Sequence, residues 1–290
     1  MQLYILRYGE IGTKSDNIRR NFVDILIQNI ERTFLKYGKE VFLEKERGRI
    51  YAFTDKNSAY LFSRIFGIVS YSPVRETSSE ISSIKEVAEE LAPDLSGTFA
   101  VRARRTGEQD YTSPEAASEV GAAILKKNPD LKVDLDEPDH EVWLEIRGNK
   151  AYIFQEIIEG PGGLPLSSQG KVVTFIGSRD DFLATWLIMK RGARAYVYHK
   201  PDEEKWIEEL DRWDPGLKII GQGDIKKFIS YDFPEEVEGI VLGDSIDYIR
   251  HIEIDLPVFR PLIAFTEERK KEHLQRIKIL SESDMSISYI

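Results

Sequence analysis

The stretch that most limits how this chain folds runs from Gly160 to Gly192. Its first part, Gly160-Pro161-Gly162-Gly163-Leu164-Pro165 and on to Lys171, carries too much glycine and proline to continue a helix or a central strand. Its second part reads as a buried strand (Val172, Val173, Phe175, Ile176), a tight turn at Gly177-Ser178, and a helix. Phe182, Leu183, Trp186, Leu187 and Met189 give that helix an apolar side, and Gly192 stops it. A strand, a glycine turn and a helix N-terminus make a general anion site, because free backbone N–H groups and the helix dipole point at one spot. On geometry alone an ordinary βα unit explains the same residues.

A chain of 290 residues has material for two or three domains with buried cores. No apolar run approaches the roughly 18 residues of a membrane span, and Met1 opens directly on a strand, so a cytoplasmic protein is expected. Cysteine is absent, which removes disulfides, thiolate zinc sites and thiol nucleophiles. His140, His199, His251 and His273 are scattered without metal-ligand spacing, so no metal site is expected. The net charge of −10 argues against a general nucleic-acid binder, but residues 1–75 hold thirteen Lys or Arg against eight Asp or Glu. An RNA footprint in that quarter is therefore credible.

Residues 1–75 read as β-α-β-β-α-β, the ferredoxin-like order. Leu3 to Arg7 is a strand. Ile18 to Tyr37 is an amphipathic helix (Phe22, Ile25, Leu26, Ile30, Phe34), a hairpin turns at Arg47-Gly48, and Ala59 to Phe66 is a short helix before the strand Ile68 to Val74. Lys14, Arg19 and Arg20 fall on the loop and first turn of the long helix. Arginine there opposes the dipole, which a bound anion would offset, although a solvated charged face is an equal reading.

Residues 76–165 continue with a helix from Ile84 to Leu91 and a strand from Phe99 to Arg105, in which Phe99, Val101 and Ala103 face one way and Arg102 and Arg104 the other. A helix begins at Ser113-Pro114-Glu115 with Ser113 as its cap, and a hairpin turns at Gly148-Asn149. Arg102, Arg104 and Arg105 suit phosphate through their guanidinium forks, or else pair with the many local acids. Residues 166–290 alternate strands and helices, which argues for a short Rossmann-like parallel sheet with its ligand edge at the strand C-termini. The expected fold class is thus α+β and α/β in several domains, divided 1–75, 76–165 and 166–290.

Gly162-Gly163-Leu164-Pro165, Gly170-Lys171 and Trp186-Leu187-Ile188-Met189-Lys190-Arg191-Gly192 resemble the tRNA 4-thiouridine synthetase family. There a THUMP RNA-binding domain leads into an ATP-pyrophosphatase domain with the loop Ser-Gly-Gly-x-Asp-Ser. Tyr8-Gly9-Glu10-Ile11 with Lys14 and Asn17 resembles that family's N-terminal domain, with Ser15 in place of a glycine. Val133-Asp134-Leu135 with Pro138-Asp139, Glu145-Ile146-Arg147 and Ala151-Tyr152 are similar to THUMP. Gly243-Asp244-Ser245 and Leu256 to Ile263 carry the likeness to the C-terminal domain.

The resemblance implies tRNA as partner, with Lys14, Arg19, Arg20, Arg102, Arg104, Arg105, Gly162, Gly163 and Lys171 as RNA-binding residues. It implies ATP with Mg at Gly177, Ser178, Asp180, His199 and Gly243. Aligned through Trp186, however, the loop here is Ile176-Gly177-Ser178-Arg179-Asp180-Asp181, which lacks both serines and the second glycine. Asp181 puts a carboxylate against a triphosphate, though Arg179 offers a compensating cation. The Gly- and Gln-rich stretch that follows Gly243 in the family is here Ile246 to Ile252, and the domain is short. Three readings stay open: a tRNA-binding member of the thiolation family with a degenerate ATP domain beside a competent partner; an active ATP-dependent tRNA sulfurtransferase taking sulfur from an external donor; or a structural subunit without RNA binding. A homo-oligomer is compatible with each.

Overall fold

The computed structural model describes residues 1–9, 15–46 and 48–282. Strand β1 (Gln2–Tyr8) is followed by α1 (Asp16–Lys36), which buries Phe22, Leu26, Ile30 and Phe34 on one side. The hairpin of β2 (Phe42–Glu46) and β3 (Arg49–Thr54) comes next, then a 3-10 helix (Lys56–Arg64) and β4 (Ile68–Ser78). The short α-helix expected over Ala59 to Phe66 is therefore a 3-10 helix that starts and ends earlier. Leu61 to Phe66 are all buried, with Ser63 and Arg64 among them.

α2 (Ile81–Leu91), β5 (Thr98–Thr106), α3 (Ser113–Lys127), β6 (Lys132–Val133), β7 (His140–Arg147), β8 (Lys150–Phe154) and β9 (Ile158–Glu159) complete the first half. The cap of α3 is Thr112, not Ser113. Its side chain meets the Glu115 N–H while the Glu115 carboxylate accepts the Thr112 N–H, a closed capping box. Strand order in this sheet is β2-β3-β1-β4-β8-β7-β5-β6, with β9 against β4. Phe99, Val142, Leu144 and Ile146 pack under α2 and α3 through Ile84, Val120 and Ile124.

The second sheet consists of β10 (Lys171–Ile176), β11 (Arg194–His199), β12 (Lys218–Gln222), β13 (Ile240–Val241) and β14 (Val258–Phe259), all parallel, in the order β12-β11-β10-β13-β14. α4 (Arg179–Lys190), α5 (Glu204–Asp211), α6 (Ile225–Ile229) and α7 (Glu267–Glu282) accompany it. β10 is buried on both faces, as a central parallel strand must be. Val172 and Ile176 join Leu183, Trp186, Leu210 and Ile277 on one side, and Val173 and Phe175 join Tyr196, Phe228 and Leu242 on the other. β13 reaches β14 through irregular chain rather than a helix.

The chain forms two compact units. One comprises Met1–Ile5, Tyr51–Phe53 and Ser72–Ile158, and the other Leu6–Ile50, Thr54–Tyr71 and Glu159–Ile290. Within the second, Phe66 packs on Trp186 and Trp213, each ring pair 5.3 Å apart. The glycine–proline segment fastens the same region. Gly67 N–H donates to the Gly162 carbonyl, Gly162 N–H to Ile68, and Leu164 N–H to Lys190.

Candidate functional site

In a parallel sheet the crevice opens where neighbouring strands send their connections to opposite sides. Here that point lies between β10 and β13, at the turns Gly177-Ser178 and Gly243-Asp244-Ser245. A cleft of about 830 Å³ sits at this edge, lined by Ser178, Arg179, Asp181, Lys200, Tyr248 and Arg250 among others. Gly243 allows the close approach of the two turns, since a Cβ there would lie 2.3 Å from the Asp180 carbonyl carbon.

The floor of the cleft is occupied by a carboxylate of the chain itself. Asp181 is 1% exposed. It accepts hydrogen bonds from Gly177 N–H (3.1 Å), the Ser178 hydroxyl (2.9 Å) and Gly243 N–H (2.8 Å). Arg250 adds a two-nitrogen grip through Nη1 (3.3 Å) and Nη2 (2.5 Å). Arg250 also donates through Nε to Asp244, which is fully buried and accepts from Arg260 Nε at 2.8 Å. Two carboxylates and two guanidinium groups thus form a charge-balanced network with its lone pairs used. Burial works against the charge of Arg250, but the hydrogen bonds that it donates to Asp181 and then Asp244, with the attraction of both carboxylates, prevail and raise its pKa above the ordinary arginine value.

Helix α4 explains why Asp181 lies there. Ser178 is its N-cap and accepts the Asp181 N–H at 3.2 Å, so Ser178-x-x-Asp181 makes a capping pair with the carboxylate at the positive end of the helix. The backbone N–H groups of Gly177 and Gly243 that would hold a phosphate already hold this carboxylate. The residues present therefore do not fit a nucleotide phosphate in that seat.

The other residues expected at a nucleotide site have local partners too. Asp180 accepts from Lys270 Nζ at 2.7 Å, and Arg179, the cation expected to offset Asp181, reaches Asp180 and Glu267 at 3.4 Å each. Lys270 is buried. Burial lowers its pKa, but the hydrogen bonds that it donates to Asp180 and Glu267 outweigh that and raise it. His199 lies at the end of β11, buried, with Nδ1 3.0 Å from the Lys200 carbonyl, so its ring is held by its own strand end.

The residues expected to touch RNA are placed as follows. Lys14 lies outside the described residues. Arg19 and Arg20, with Tyr8, Lys45 and Gly48, line a cleft of about 420 Å³ beside α1. On β5, Arg102 is tied to Glu141 at 2.9 Å and to the Leu135 carbonyl, and Arg105 bonds the Gly107 and Gln109 carbonyls, whereas Arg104 is exposed. Gly162 and Gly163 stand at positive φ (67° and 78°), and a Cβ on Gly163 would lie 2.1 Å from the Lys190 carbonyl oxygen. Gly163 thus packs against the Lys190 backbone, whereas Gly162 has open space where a Cβ would lie and is set by its positive φ. Lys171 pairs with Glu236 at 3.6 Å and lies over the Tyr196 ring.

Arg250, Arg260 and Asp244 have no assigned role in the sequence reading. The sequence signal for the two arginines is their place within the mainly apolar run from Ile246 to Ile263.

Comparison with known proteins bears on the same features. A THUMP domain model matches residues 81–156, and a ThiI ferredoxin-like domain model matches residues 3–72. A tRNA sulfurtransferase of Pyrobaculum aerophilum is 40% identical over 96% of this chain and 67% of its own length. A probable tRNA sulfurtransferase of Thermococcus kodakarensis is 33% identical over 91% of this chain and 84% of its own. This chain belongs to the tRNA sulfurtransferase family. It has the family's ferredoxin-like N-terminal domain, a THUMP domain and a parallel α/β C-terminal region. Other relatives are considerably longer, and the chain spans 62% and 54% of those from Methanobrevibacter smithii and Methanothermobacter thermautotrophicus. Among solved structures, PH1313 from Pyrococcus horikoshii matches with a TM-score of 0.82 and 31% identity, over 96% of this chain and 100% of its own. A 4-thiouridine synthetase–RNA complex with bound ATP matches in fold with a TM-score of 0.76 and 24% identity, over 97% of this chain and 86% of that one. No helix among the described residues is long and apolar enough to cross a membrane.

Proposed function

We propose that this chain binds tRNA and takes part in uridine thiolation without itself adenylating the uridine. The occupied anion seat carries this reading: Asp181 uses the Gly177 and Gly243 N–H groups and draws Arg250 onto itself. The family's reaction adenylates a uridine oxygen and replaces it with sulfur, so a phosphate-holding loop is its first requirement. This sequence has no cysteine, so in this reading the sulfur comes from free sulfide or a partner protein. Residues 1–75 and 76–165 supply the RNA contacts in this reading. Arg19 and Arg20 meet phosphate beside α1, Lys14 is a further phosphate contact, and Arg104 meets it on β5, where Arg102 and Arg105 are held by local partners.

The test is a pair of measurements on the same preparation. Gel shifts with intact tRNA should show binding that weakens steeply with salt. ATP–pyrophosphate exchange in the presence of tRNA should stay at background. Exchange above background would establish the active sulfurtransferase in its place, and no tRNA binding at low salt would leave a structural subunit.

A further inference from the structure

We infer that one face of α7, carrying Arg269, His273 and Arg276 beside Phe265, is an additional RNA contact, made to an unpaired nucleotide and its neighbouring phosphates. The inference rests on the reading of this chain as a tRNA binder and adds to it a surface in the C-terminal region. The three residues stand at i, i+4 and i+7 and so share one side of the helix, with about 10 Å from first to last. At roughly 3.4 Å of rise per nucleotide, that distance matches about three phosphates of one strand.

Flat groups lie among the charges. The Arg269 guanidinium is 4.5 Å from the Phe265 ring centre, and the His273 ring stacks on the same phenyl at 5.3 Å and 26°. Phe265 and His273 are half-buried and Arg269 and Arg276 exposed, so the array reaches the surface. The cations converge on His273. Burial lowers its pKa first, then Lys190, Arg269 and Arg276 lower it further, with Glu272 opposing. The local acids leave the guanidinium groups available. Arg276 meets Glu159 only at 3.7 Å, with both side chains at least half exposed, and Arg269 has no carboxylate partner among the described residues. Unpaired bases stack on aromatic and guanidinium planes while arginine forks hold phosphate. An acidic protein segment would use the charges but not the stack, which favours RNA.

The helix supplies its own control. Lys271 and Lys278 are also exposed and also seven residues apart, but each is two positions, about 200°, around the helix from Arg269 and Arg276. R269A/R276A should bind tRNA about ten-fold more weakly at low salt, with a salt slope shallower by about 1.4, whereas K271A/K278A should bind as the native protein does. H273A should lose about five-fold or more without altering the slope, because stacking is not a counterion effect. Circular dichroism confirms folding, and a variant that fails it is replaced by R269Q/R276Q. Equal behaviour of the two double variants would overturn the inference, as would full affinity in H273A. Native protein that binds no tRNA would instead refute the reading on which it rests. Unchanged tRNA binding with lost affinity for an acidic protein would assign the stripe to that partner and also overturn the RNA contact.

Discussion

Replacing Asp181 by serine should convert a protein with little affinity for ATP into one that binds it. Two limits bound the effect. If the carboxylate stays in place, a phosphate at about 4 Å is repelled by about 4 kcal/mol at the effective dielectric typical of such sites. If it leaves, it gives up hydrogen bonds from Gly177, Ser178, Gly243 and Arg250. Bonds to a charged group are worth about 1.5–3 kcal/mol each, and a phosphate that takes over the same donors recovers part of the loss. Either route costs about 4 kcal/mol, or about a thousand-fold in Kd. D181S removes both costs and releases Arg250, which keeps Asp244 as its partner. Titration calorimetry with Mg-ATP is the assay, with thermal unfolding as the check on folding. Native binding in the low micromolar range, with D181S no tighter, would refute the reasoning and restore an ATP-using enzyme.

Other expectations test the RNA surface and the scaffold. R104A should weaken tRNA binding and lower the salt slope by about 0.9, whereas R102A, which breaks the pair with Glu141, should leave the slope unchanged in the same gel shifts. F66A, which removes the ring packed on both Trp186 and Trp213, should cost about 3–5 kcal/mol in urea unfolding. G163A, at positive φ and against the Lys190 carbonyl, should cost about 3 kcal/mol with no specific effect on the tRNA salt slope. Hydrogen bonds from the Thr98 backbone and hydroxyl hold the Asp139 carboxyl below the usual carboxylate range, so it binds fewer protons folded than unfolded. Its contribution is present above about pH 4 and is lost as pH falls through the folded value. D139N should therefore flatten the acid limb of the unfolding curve.

The sequence by itself determined the elements and their order. Strands and helices declare themselves through local chemistry: Val172 to Ile176 as a run buried on both faces, Phe22 to Phe34 at helical spacing, the Gly148-Asn149 turn, and glycines that end helices. Short motifs located the family for the same reason, since each is a contiguous set of residues. Tertiary structure decided what those motifs do. Gly163 is required by the approach of the chain to Lys190, a neighbour nearly thirty residues away, and Gly162 by its positive φ. Arg102 is bound to Glu141 because β5 and β7 lie side by side. The anion seat depends on Gly177, Asp181, Gly243 and Arg250 meeting at the strand ends, across as many as 73 positions of sequence. A pattern can show that Asp181 replaces a hydroxyl. Only the fold brings its donors together, because the geometry of five converging hydrogen bonds is not written in any one stretch of chain.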